Sequence, residues 1–482
     1  MKTEFKNGKL TIKDIKNMCG GTLICSGLSE NSIVSDICTD SREASSQTVF
    51  VAICGERVDG HDYIAKTIKG GCPFSIASKI PDMSSVENEP YAIVLVEDTL
   101  KAIGKLAHEY KKRSAPITVG VTGSVGKTTT KEFVSSVLCE KYKTFKTEGN
   151  HNSTIGLPMS IMEMTSDVGA AVLEMGMSDF GEISQMTNIA RPNIAIVTNI
   201  GTSHMEHLGS RENICRAKME IAEGLSDDGI LLLNGDEPLL VGADKGGHKT
   251  IYVSLESRDA DARALNIREE FMKTTFDMLY EGKIYSNIEL PVMGKHNIYA
   301  ALFAFVAGKI CGLDDEDIRR GLMNYRNVGM LQNIYDLCGI TLIEDCYNAS
   351  PESMRSAIDV LSELSKQKGN ARKVALLGDM LELGERSEEL HRGVGEYLAS
   401  HGCDLLFTYG EKAENIATSA IEHGMKTENV HINREAGAPE TVGNKMLDLL
   451  CPGDILLVKA SRSMAAEKII EFLKDNKDKL PK

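Results

Sequence analysis

The segment Ile117–Phe133, ITVGVTGSVGKTTTKEF, decides the fold of this chain. Its first five residues form a short apolar run, which is typical of a strand buried on both faces. A turn with Gly123 and Gly126 follows, and then a helical pattern that begins at Lys127 and Thr128. The glycines allow the backbone to approach an anion closely, and the first N–H groups of the helix point toward it. The order of strand, glycine-rich turn and helix predicts a phosphate-binding loop in an α/β domain.

This loop has the form T-G-S-x-G-K-T, because Val121 stands where the stricter pattern G-x-x-x-x-G-K-[ST] begins with glycine. The alternative is a helix start without a ligand, since Gly and Thr are natural helix caps. The strand before, the helix after and the lysine beside a threonine favour nucleotide binding. Lys127 then supplies a mobile cation, and the Thr128 hydroxyl can bind Mg²⁺. The predicted nucleotide contacts are Thr122, Gly123, Ser124, Val125, Gly126, Lys127, Thr128 and Thr129.

The whole chain alternates short apolar runs with helical patterns, which predicts an α/β protein with three domains. In the middle, ITVGV, AAVLEMG, NIAIVTNI and ILLLNGDE predict a parallel sheet covered on both faces, which the helical stretch Asn297–Tyr325 closes. Near the end, TLIED, KVALLGD, DLLFTYG and DILLVKA predict a second, smaller, Rossmann-like open sheet. The basic segment KKRSAP is a surface linker in this interpretation. We expect domains at residues 1–112, 113–326 and 327–482.

Length and composition exclude several classes of protein. The chain has 482 residues, 42% hydrophobic and 26% charged, so it is not disordered or fibrous. A net charge of −15 argues against a protein that binds nucleic acid in bulk. The first residues lack the apolar run of a secretory signal, and twelve cysteines without a C-x-x-C pair favour reduced thiols. We expect a cytoplasmic protein that does not insert into membranes.

Several polar residues lie where α/β sheets bind ligands, at or just after the carboxyl ends of predicted strands. Glu174 ends the run AAVLE, His204 follows NIAIVTNIGTS, and Asn150 and Asn152 lie in the loop GNHNSTIGLP. A carboxylate and an imidazole beside a nucleotide phosphate are suitable Mg²⁺ ligands. Taken singly, each of these residues is more often a loop cap or a satisfied polar group. Their shared position near the phosphate loop favours a common site.

Lys218 lies on the apolar side of a predicted helix. The residues Ile214, Lys218, Ile221 and Leu225 follow one another at spacings of 4, 3 and 4, which places them on one helix face. One interpretation is that the aliphatic stem covers apolar surface while the ammonium reaches water. The other is that the amine points into the site, where loss of solvation lowers its pKa and leaves it neutral and reactive. The spacing alone leaves both open.

These motifs resemble those of the Mur ligases, the ATP-dependent amide-forming enzymes of peptidoglycan synthesis. The likeness runs from about residue 40 to residue 464, in the expected order and with three domains. TGSVGKTT is similar to the ATP loop of the family, and LEMG and GTSHMEHLGS to the segments with its Mg²⁺ ligands. RAKMEI is similar to the family's lysine motif, so the resemblance implies a CO₂-derived carbamate on Lys218 that binds a second Mg²⁺. It makes Lys127, Glu174, His204 and Lys218 the catalytic residues.

The resemblance also implies where the substrates bind. DSREASSQTVF is similar to the segment that holds the UDP-sugar, so Ser41 and Arg42 would contact the uridine diphosphate end. Asn150 and Asn152 would contact substrate from the asparagine loop. GKHNIYAALFAF resembles the adenine-side motif, in which Asn297 would face the base.

The C-terminal segments DCYNASPESM, LLGDMLELG and VKASRSM resemble those of the branch of the family that adds D-alanyl-D-alanine to UDP-N-acetylmuramoyl-tripeptide. That likeness implies contacts to the incoming dipeptide or across the closed cleft from Asn348, Ala349, Ser350, Lys459, Ser461 and Arg462. Ser350 before Pro351 also fits a plain helix N-cap. The implied activity is an ATP-dependent ligase of the EC 6.3.2 class that works through an acyl phosphate. We expect a monomer whose domains close over the substrates.

Two alternatives remain open from the sequence. One is another amide ligase of the same build, such as a different Mur ligase or a folylpolyglutamate synthase. The other is a nucleotide-binding paralogue without catalysis. The second rests on two departures from the family pattern: Met330 and Leu331 stand where relatives carry a junction arginine, and Ala300 replaces a frequent second asparagine. Arg326 is close to the first of these positions.

Overall fold

The computed structural model describes residues 1–55 and 57–480 and contains three large sheets. The N-terminal sheet has six strands in the order β1-β5-β6-β7-β8-β3, with antiparallel strands at both edges. Strands β2 and β4 form a separate ladder. The strands are β1 (Lys2–Glu4), β2 (Leu10–Thr11), β3 (Thr22–Ser26), β4 (Ile33–Val34), β5 (Asp36–Cys38), β6 (Thr48–Val51), β7 (Phe74–Ala77) and β8 (Tyr91–Leu95). The helices are α1 (Ile12–Cys19), α2 (Ile64–Lys69) and α3 (Thr99–Lys111).

The central sheet has nine strands in the order β10-β11-β9-β12-β13-β14-β15-β16-β17. Its strands are β9 (Ile117–Thr122), β10 (Thr144–Lys146), β11 (Ala170–Glu174), β12 (Ile194–Val197), β13 (Ile230–Asn234), β14 (Lys249–Ser254), β15 (Ala262–Glu270), β16 (Lys273–Tyr280) and β17 (Lys283–Leu290). Its helices are α4 (Lys127–Leu138), α5 (Gly156–Ile161), α6 (Glu182–Ala190), α7 (Met205–Leu208), α8 (Arg211–Met219), α9 (Pro238–Gly242), α10 (Lys295–Ile310) and α11 (Asp315–Met323). Strands β10 to β15 pair in parallel, as predicted, but β15, β16 and β17 form an antiparallel meander that the apolar runs did not predict.

The C-terminal sheet has six strands in the order β18-β19-β23-β20-β21-β22, parallel except for the edge strand β18. Its strands are β18 (Asn333–Leu337), β19 (Ile340–Glu344), β20 (Lys373–Gly378), β21 (Leu405–Tyr409), β22 (Val430–Asn433) and β23 (Ile455–Lys459). Its helices are α12 (Pro351–Gln367), α13 (Ser387–Ser400), α14 (Glu414–Glu422), α15 (Pro439–Leu449) and α16 (Glu467–Asp475). The predicted α/β class with three sheet domains is confirmed, and the boundaries after residues 112 and 326 stay our proposal.

The register of the central sheet brings the predicted ligand residues together. Strand β9 lies between β11 and β12, with Val121 beside Glu174 and Thr122 beside Val197. Because parallel strands end at the same edge, the phosphate loop, Glu174 and the loop after β12 share one end of the sheet.

Helix α10 explains the most apolar stretch of the sequence. Its residues from Asn297 to Gly308 are buried, apart from the half-buried Tyr299, and the helix packs against α4 in the core of the central domain. Over the described ranges, no helix is both long and apolar enough to cross a membrane.

Candidate functional site

The phosphate loop is held by residues that follow the neighbouring strand β12. The backbone N–H groups of Ser124 and Val125 donate to the backbone oxygen and the Oδ1 of Asn199, at 3.1 and 2.8 Å. The Thr198 hydroxyl donates to the Val125 carbonyl at 2.6 Å. Gly123 has φ 149°, and a Cβ there would lie 1.8 Å from the Thr198 Oγ1, so no other residue fits. The loop is thus shaped by tertiary contacts as well as by its glycines.

Lys127 begins α4 and folds back over its own loop. Its amine donates to the carbonyls of Gly123 and Ser124 at 2.9 and 3.3 Å. Burial lowers the pKa of Lys127, and the nearby carboxylate of Glu174 acts in the opposite direction. The buried Ser124 hydroxyl has no hydrogen-bond partner anywhere in residues 1–55 and 57–480. A lysine poised over an unpartnered hydroxyl fits an anionic ligand in this loop.

Glu174 is buried and is the centre of a polar network beside the loop. Its Oε2 accepts a hydrogen bond from the Thr128 hydroxyl at 3.0 Å, and its Oε1 accepts one from Asn152 Nδ2 at 2.9 Å. Lys131 Nζ lies 3.6 Å from Oε2. A carboxylate next to a hydroxyl is an oxygen donor set of the kind that Mg²⁺ takes when phosphate and water complete its coordination.

His204 and Asn150 lie where the central domain meets the C-terminal domain. His204, in a left-handed conformation at φ 63°, has its Nδ1 2.8 Å from the Oε2 of Glu382. The Asn150 Oδ1 accepts a hydrogen bond from the Tyr347 hydroxyl. The part of the chain that the structure describes holds no group of three His, Cys, Asp or Glu residues arranged for a metal. Glu174 and His204 therefore line the same site without forming a complete ligand set by themselves.

Lys218 is 1% exposed, so its side chain is almost completely removed from water. It ends the last turn of α8, and the stripe of Ile214, Ile221 and Leu225 is buried with it. Burial lowers the pKa of Lys218 well below its usual value, and repulsion from Lys127 lowers it further. No hydrogen bond from its amine occurs within the described residues. The geometry therefore removes the interpretation in which Lys218 merely covers apolar surface.

The C-terminal domain contributes a buried ion pair and the start of α12. Lys459, 2% exposed, donates to Asp345 Oδ2 at 2.7 Å and to the Asn348 carbonyl at 2.9 Å. Ser350 caps α12, with its hydroxyl accepting from the Ser353 N–H, so the N-cap interpretation of Ser350 is correct as local structure. Lys459 thus joins β23 to the segment before α12.

Two adjoining cavities lie between the central and C-terminal domains. The first, of about 470 Å³, brings together most of the predicted residues. They are Ser124, Val125, Gly126, Lys127, Thr128, Thr129, Asn150, Asn152, Glu174, His204, Asn348, Ala349, Ser350, Lys459 and Arg462. The second, of about 450 Å³, contains Asn297 and shares Val125, Gly126, Thr129 and Lys459 with the first.

Six predicted residues lie outside both cavities. Arg42 is exposed and pairs with Asp40 at 2.6 Å, and Ser41 lies beside it. Ser461 is buried, with its hydroxyl accepting from the Leu381 N–H at 3.1 Å. Thr122 is also buried, with its hydroxyl bonded to Met175. Gly123 and Lys218 are the other two.

Sequence reasoning missed several residues that the structure brings to the cavities. Tyr347 lines the first cavity, and the second is lined by Asn199, Gln332 and Glu352. Tyr347 and Glu352 lie within the segment DCYNASPESM, whose resemblance had drawn attention only to residues 348–350. The polar residues after β12 were the signal for Asn199, because its strand neighbours the phosphate loop.

The structure also shows the surroundings of Met330 and Leu331, the two departures from the family pattern at the interdomain junction. Leu331 lines both cavities. Arg462 Nη1 lies 3.9 Å from Met330 Sδ and 2.8 Å from Glu467 Oε1. A guanidinium thus lies beside the position where relatives carry the junction arginine.

Comparison with known proteins gives a consistent result over nearly the whole chain. Three family models match: "Mur ligase family, catalytic domain" at residues 34–111, "Mur ligase middle domain" at 121–308 and "Mur ligase, glutamate ligase domain" at 331–462. The UDP-N-acetylmuramoyl-tripeptide–D-alanyl-D-alanine ligase of Bacillus subtilis is 38% identical over 468 residues, which is 96% of this chain and 98% of the relative.

Solved structures agree with that similarity. A crystal structure of MurF from Acinetobacter baumannii matches with a TM-score of 0.84 and 29% identity, over 98% of this chain and all of that chain. The MurF ligase of Thermotoga maritima in complex with ADP matches with a TM-score of 0.79 and 29% identity, over 92% of this chain and 98% of that chain.

Proposed function

The chain belongs to the Mur ligase family, and from that premise we propose that it joins D-alanyl-D-alanine to UDP-N-acetylmuramoyl-tripeptide at the expense of ATP. The observation that carries the proposal is the 470 Å³ cavity, in which a phosphate loop faces C-terminal residues across a domain junction. The named relatives favour this reaction over a folylpolyglutamate-type ligase. The buried Glu174 and Lys218, together with Lys127 in the cavity lining, favour an active enzyme over a silent paralogue.

The reaction needs activation because a carboxylate and an amine do not condense unaided at a useful rate. The tripeptide carboxylate attacks the γ-phosphorus of ATP, ADP leaves, and an acyl phosphate forms. The amine of D-alanyl-D-alanine then attacks the acyl carbon, loses a proton and expels inorganic phosphate. In the first step the protein mainly positions groups and neutralises charge. Lys127 would turn from its loop carbonyls toward the γ-phosphoryl oxygens.

Mg²⁺ would be held by Thr128, Glu174 and His204, whose oxygen and nitrogen donors fit a divalent cation beside phosphate. When bound, the cation supplies neutralisation of the charge on the transferring phosphoryl group. For the protein, Asn152 orients the Glu174 carboxylate through its amide. His204 would have to exchange Glu382 for the cation, which links metal binding to the domain junction.

Lys218 would be the carbamylated ligand of a second Mg²⁺. Its neutral amine adds to CO₂ to give an N-carboxylate and one proton. Burial favours the neutral amine that this addition requires, and nearby Lys127 offers a compensating positive charge. Labelled bicarbonate and ¹³C NMR should reveal a carbamate carbon that is lost in Lys218→Met but kept in Lys111→Met, another buried lysine. An identical spectrum for wild type and Lys218→Met would exclude the modification.

The remaining contacts come from all three domains. Ser41 and Arg42 would bind the uridine diphosphate end, which requires Arg42 to leave Asp40. Asn150, Asn348, Ala349 and Ser350 would contact the peptide substrates, with Lys459, Ser461 and Arg462 across the cleft. Because these groups come from three domains, closure would assemble the site. A cytoplasmic monomer with domains 1–112, 113–326 and 327–482 completes the proposal.

One assay tests the proposed function. The protein is incubated with Mg-ATP and UDP-N-acetylmuramoyl-tripeptide, and phosphate release is measured with and without D-alanyl-D-alanine. We expect release that depends on the dipeptide and falls at least about a hundredfold in Lys127→Ala, but not in Lys143→Ala, an exposed lysine paired with Asp167. Release driven only by a single amino acid would make the protein a different ligase. ATP binding without any release would make it a silent paralogue.

A further inference from the structure

Glu382 is the carboxylate that the C-terminal domain contributes to the first cavity. Among residues 1–55 and 57–480, three acidic side chains line this cavity: Glu174 and Glu182 from the central domain, and Glu382 from the segment that follows β20. The side chain of Glu382 is 56% exposed, so a ligand in the cavity can reach its carboxylate.

The two carboxylates of the central domain already have partners that hold them. Glu174 accepts two side-chain hydrogen bonds, and the Oε2 of Glu182 accepts one from the Ser178 N–H at 2.6 Å. Glu382 is held more loosely, by the 2.8 Å contact of its Oε2 with His204 Nδ1. That contact is not aligned as a hydrogen bond, since His204 Nδ1 has no hydrogen-bond partner in the described ranges. Of the three, Glu382 is therefore the carboxylate that can exchange its partner for a ligand.

The backbone around Glu382 holds its carboxylate at the domain junction. Glu382 has φ 62°, a left-handed conformation that is uncommon for a residue with a side chain. Two residues later, a Cβ on Gly384 would lie 3.1 Å from the Cα of Glu206, in the short helix α7 that follows His204. The segment with Glu382 thus packs directly on the segment with His204, beside the phosphate loop.

The proposed second substrate carries the charge that Glu382 lacks. Near neutral pH a free dipeptide has an ammonium group at one end and a carboxylate at the other. Its amino nitrogen has to reach the acyl carbon beside the phosphate loop, so the ammonium end points toward His204. The guanidinium of Arg462, 51% exposed and in the lining of the same cavity, is a counterpart for the carboxylate end. One domain therefore presents both charges that complement a zwitterion.

We propose that Glu382 binds the ammonium group of the incoming dipeptide and so positions its amine for attack. The proposal deepens the proposed function and rests on it, because it assumes that the dipeptide enters from the side of the C-terminal domain. Since His204 has to leave Glu382 in order to bind the cation, the same movement frees the carboxylate for the dipeptide. An amine on the UDP-substrate is the other possible source of an ammonium group, and we assign Glu382 to the dipeptide because both belong to the C-terminal side of the cavity.

Glu382→Gln tests the inference, because glutamine keeps the size of the side chain and removes its charge. The full-length protein is loaded with Mg²⁺, a non-hydrolysable ATP analogue and UDP-N-acetylmuramoyl-tripeptide, and calorimetry gives dissociation constants for two ligands. One is D-alanyl-D-alanine, and the other is N-propanoyl-D-alanine, the same molecule without its amine. We expect the dissociation constant of the dipeptide to rise about tenfold, the worth of one charge-assisted hydrogen bond, and that of the analogue to stay constant.

Two further variants separate the charge of Glu382 from general damage to the segment. Glu385→Gln is the matched control, at an exposed glutamate of the same segment that lines neither cavity, and it should leave both constants unchanged. Glu382→Asp keeps the charge on a shorter side chain and should recover part of the affinity for the dipeptide. Thermal unfolding checks that each variant is folded.

The possible results distinguish the role of Glu382 from the proposed function. Equal weakening of the dipeptide and of the analogue in Glu382→Gln would indicate a structural defect and overturn the inference. Weaker binding of the UDP-substrate with unchanged dipeptide affinity would show that the glutamate meets the other substrate, which also overturns it. Wild type and Glu382→Gln that bind the dipeptide equally well would remove the role of Glu382 alone. Wild type that binds no dipeptide at all would overturn the proposed function as well.

Discussion

The two junctions of the central domain are built differently. Toward the N-terminal domain, α3 packs against α5 and α6 within one apolar cluster that includes Leu106, Leu157 and Ile189. Toward the C-terminal domain, Met293 reaches the apolar cluster of that domain, but the junction also contains polar pairs such as Tyr347 with Asn150 and Thr202 with Glu352, and two cavities lie there.

This difference indicates which domain moves. Separating an apolar junction exposes surface to water at about 25 cal/mol per Å², so the N-terminal and central domains should behave as one body. Polar pairs exchange partners with water at a small net cost, so the C-terminal domain can open to admit substrates and close for the reaction. When an ATP analogue and the UDP-substrate bind, movement of the C-terminal domain should therefore change the solution scattering of the protein.

The largest expected effect is in the apolar junction. Ile189 packs against Gly104 of α3, where a Cβ would come within 2.8 Å of its Cδ1. Ile189→Ala leaves a cavity there and should lower the free energy of unfolding by about 3 kcal/mol. Urea unfolding followed by circular dichroism measures it. Ile432→Ala, at a 45% exposed site, is the control and should change little. Equal losses of unfolding free energy in the two variants would show that Ile189 in the apolar junction contributes no more to stability than an exposed side chain does.

Lys111 adds a pH dependence to the same junction. It is buried, its amine donates to Thr118 Oγ1 at 3.0 Å, and burial lowers its pKa from 10.5 to about 8. Between these values the unfolded chain binds more protons, so this lysine makes the folded state more stable as pH rises from 8 to 10.5. Relative to Lys111→Met, wild type should gain roughly 2 kcal/mol over that interval.

Urea midpoints at several pH values check the dependence on Lys111. Lys112→Met, at the exposed neighbouring position, is the control. A stability difference between wild type and Lys111→Met that stays flat with pH would show that the junction does not hold the neutral amine.

A substitution at the polar junction should change the rate of the reaction more than the stability of the fold. A Cβ on Gly201 would lie 2.9 Å from the carboxylate of Glu352, which accepts from the Thr202 hydroxyl at 3.1 Å. Gly201→Ala displaces that carboxylate and should slow dipeptide-dependent phosphate release about tenfold, or 1.4 kcal/mol in barrier. The urea midpoint should stay nearly constant. Gly242→Ala, with open space around its Cβ, is the control. A large loss of stability with normal turnover would contradict a mobile polar junction.

The smallest expected effect concerns Tyr347. Its hydroxyl donates to Asn150 across the junction, and Tyr347→Phe removes that one bond. Turnover should fall about threefold, in line with a single exchangeable hydrogen bond. Tyr397→Phe removes a hydroxyl that bonds to Asp359 within the C-terminal domain and should leave turnover unchanged. Steady-state kinetics of the two variants shows whether the loss of a tyrosine hydroxyl lowers turnover only when its hydrogen bond crosses the junction.

Much of the fold followed from local pattern, and the misses share a cause. The apolar runs predicted the strands of the parallel core because strands buried on both faces are apolar along their whole length. The apolar runs did not predict the meander β15 to β17, since its strands alternate apolar and polar residues and end at short turns. Of the predicted site residues, Gly126, Lys127 and Glu174 line the first cavity, and each is a position where chemistry and local structure coincide.

By itself, the sequence determined the phosphate-loop motif, the α/β class and the family, because the order of strand, glycine-rich turn and helix is visible in residues that are adjacent in the chain. Only the tertiary structure decided that Lys218 is almost completely buried and that Arg42 lies outside the cavities. Burial and hydrogen bonding between segments far apart in sequence depend on how the domains pack, and residue spacing carries no record of that packing.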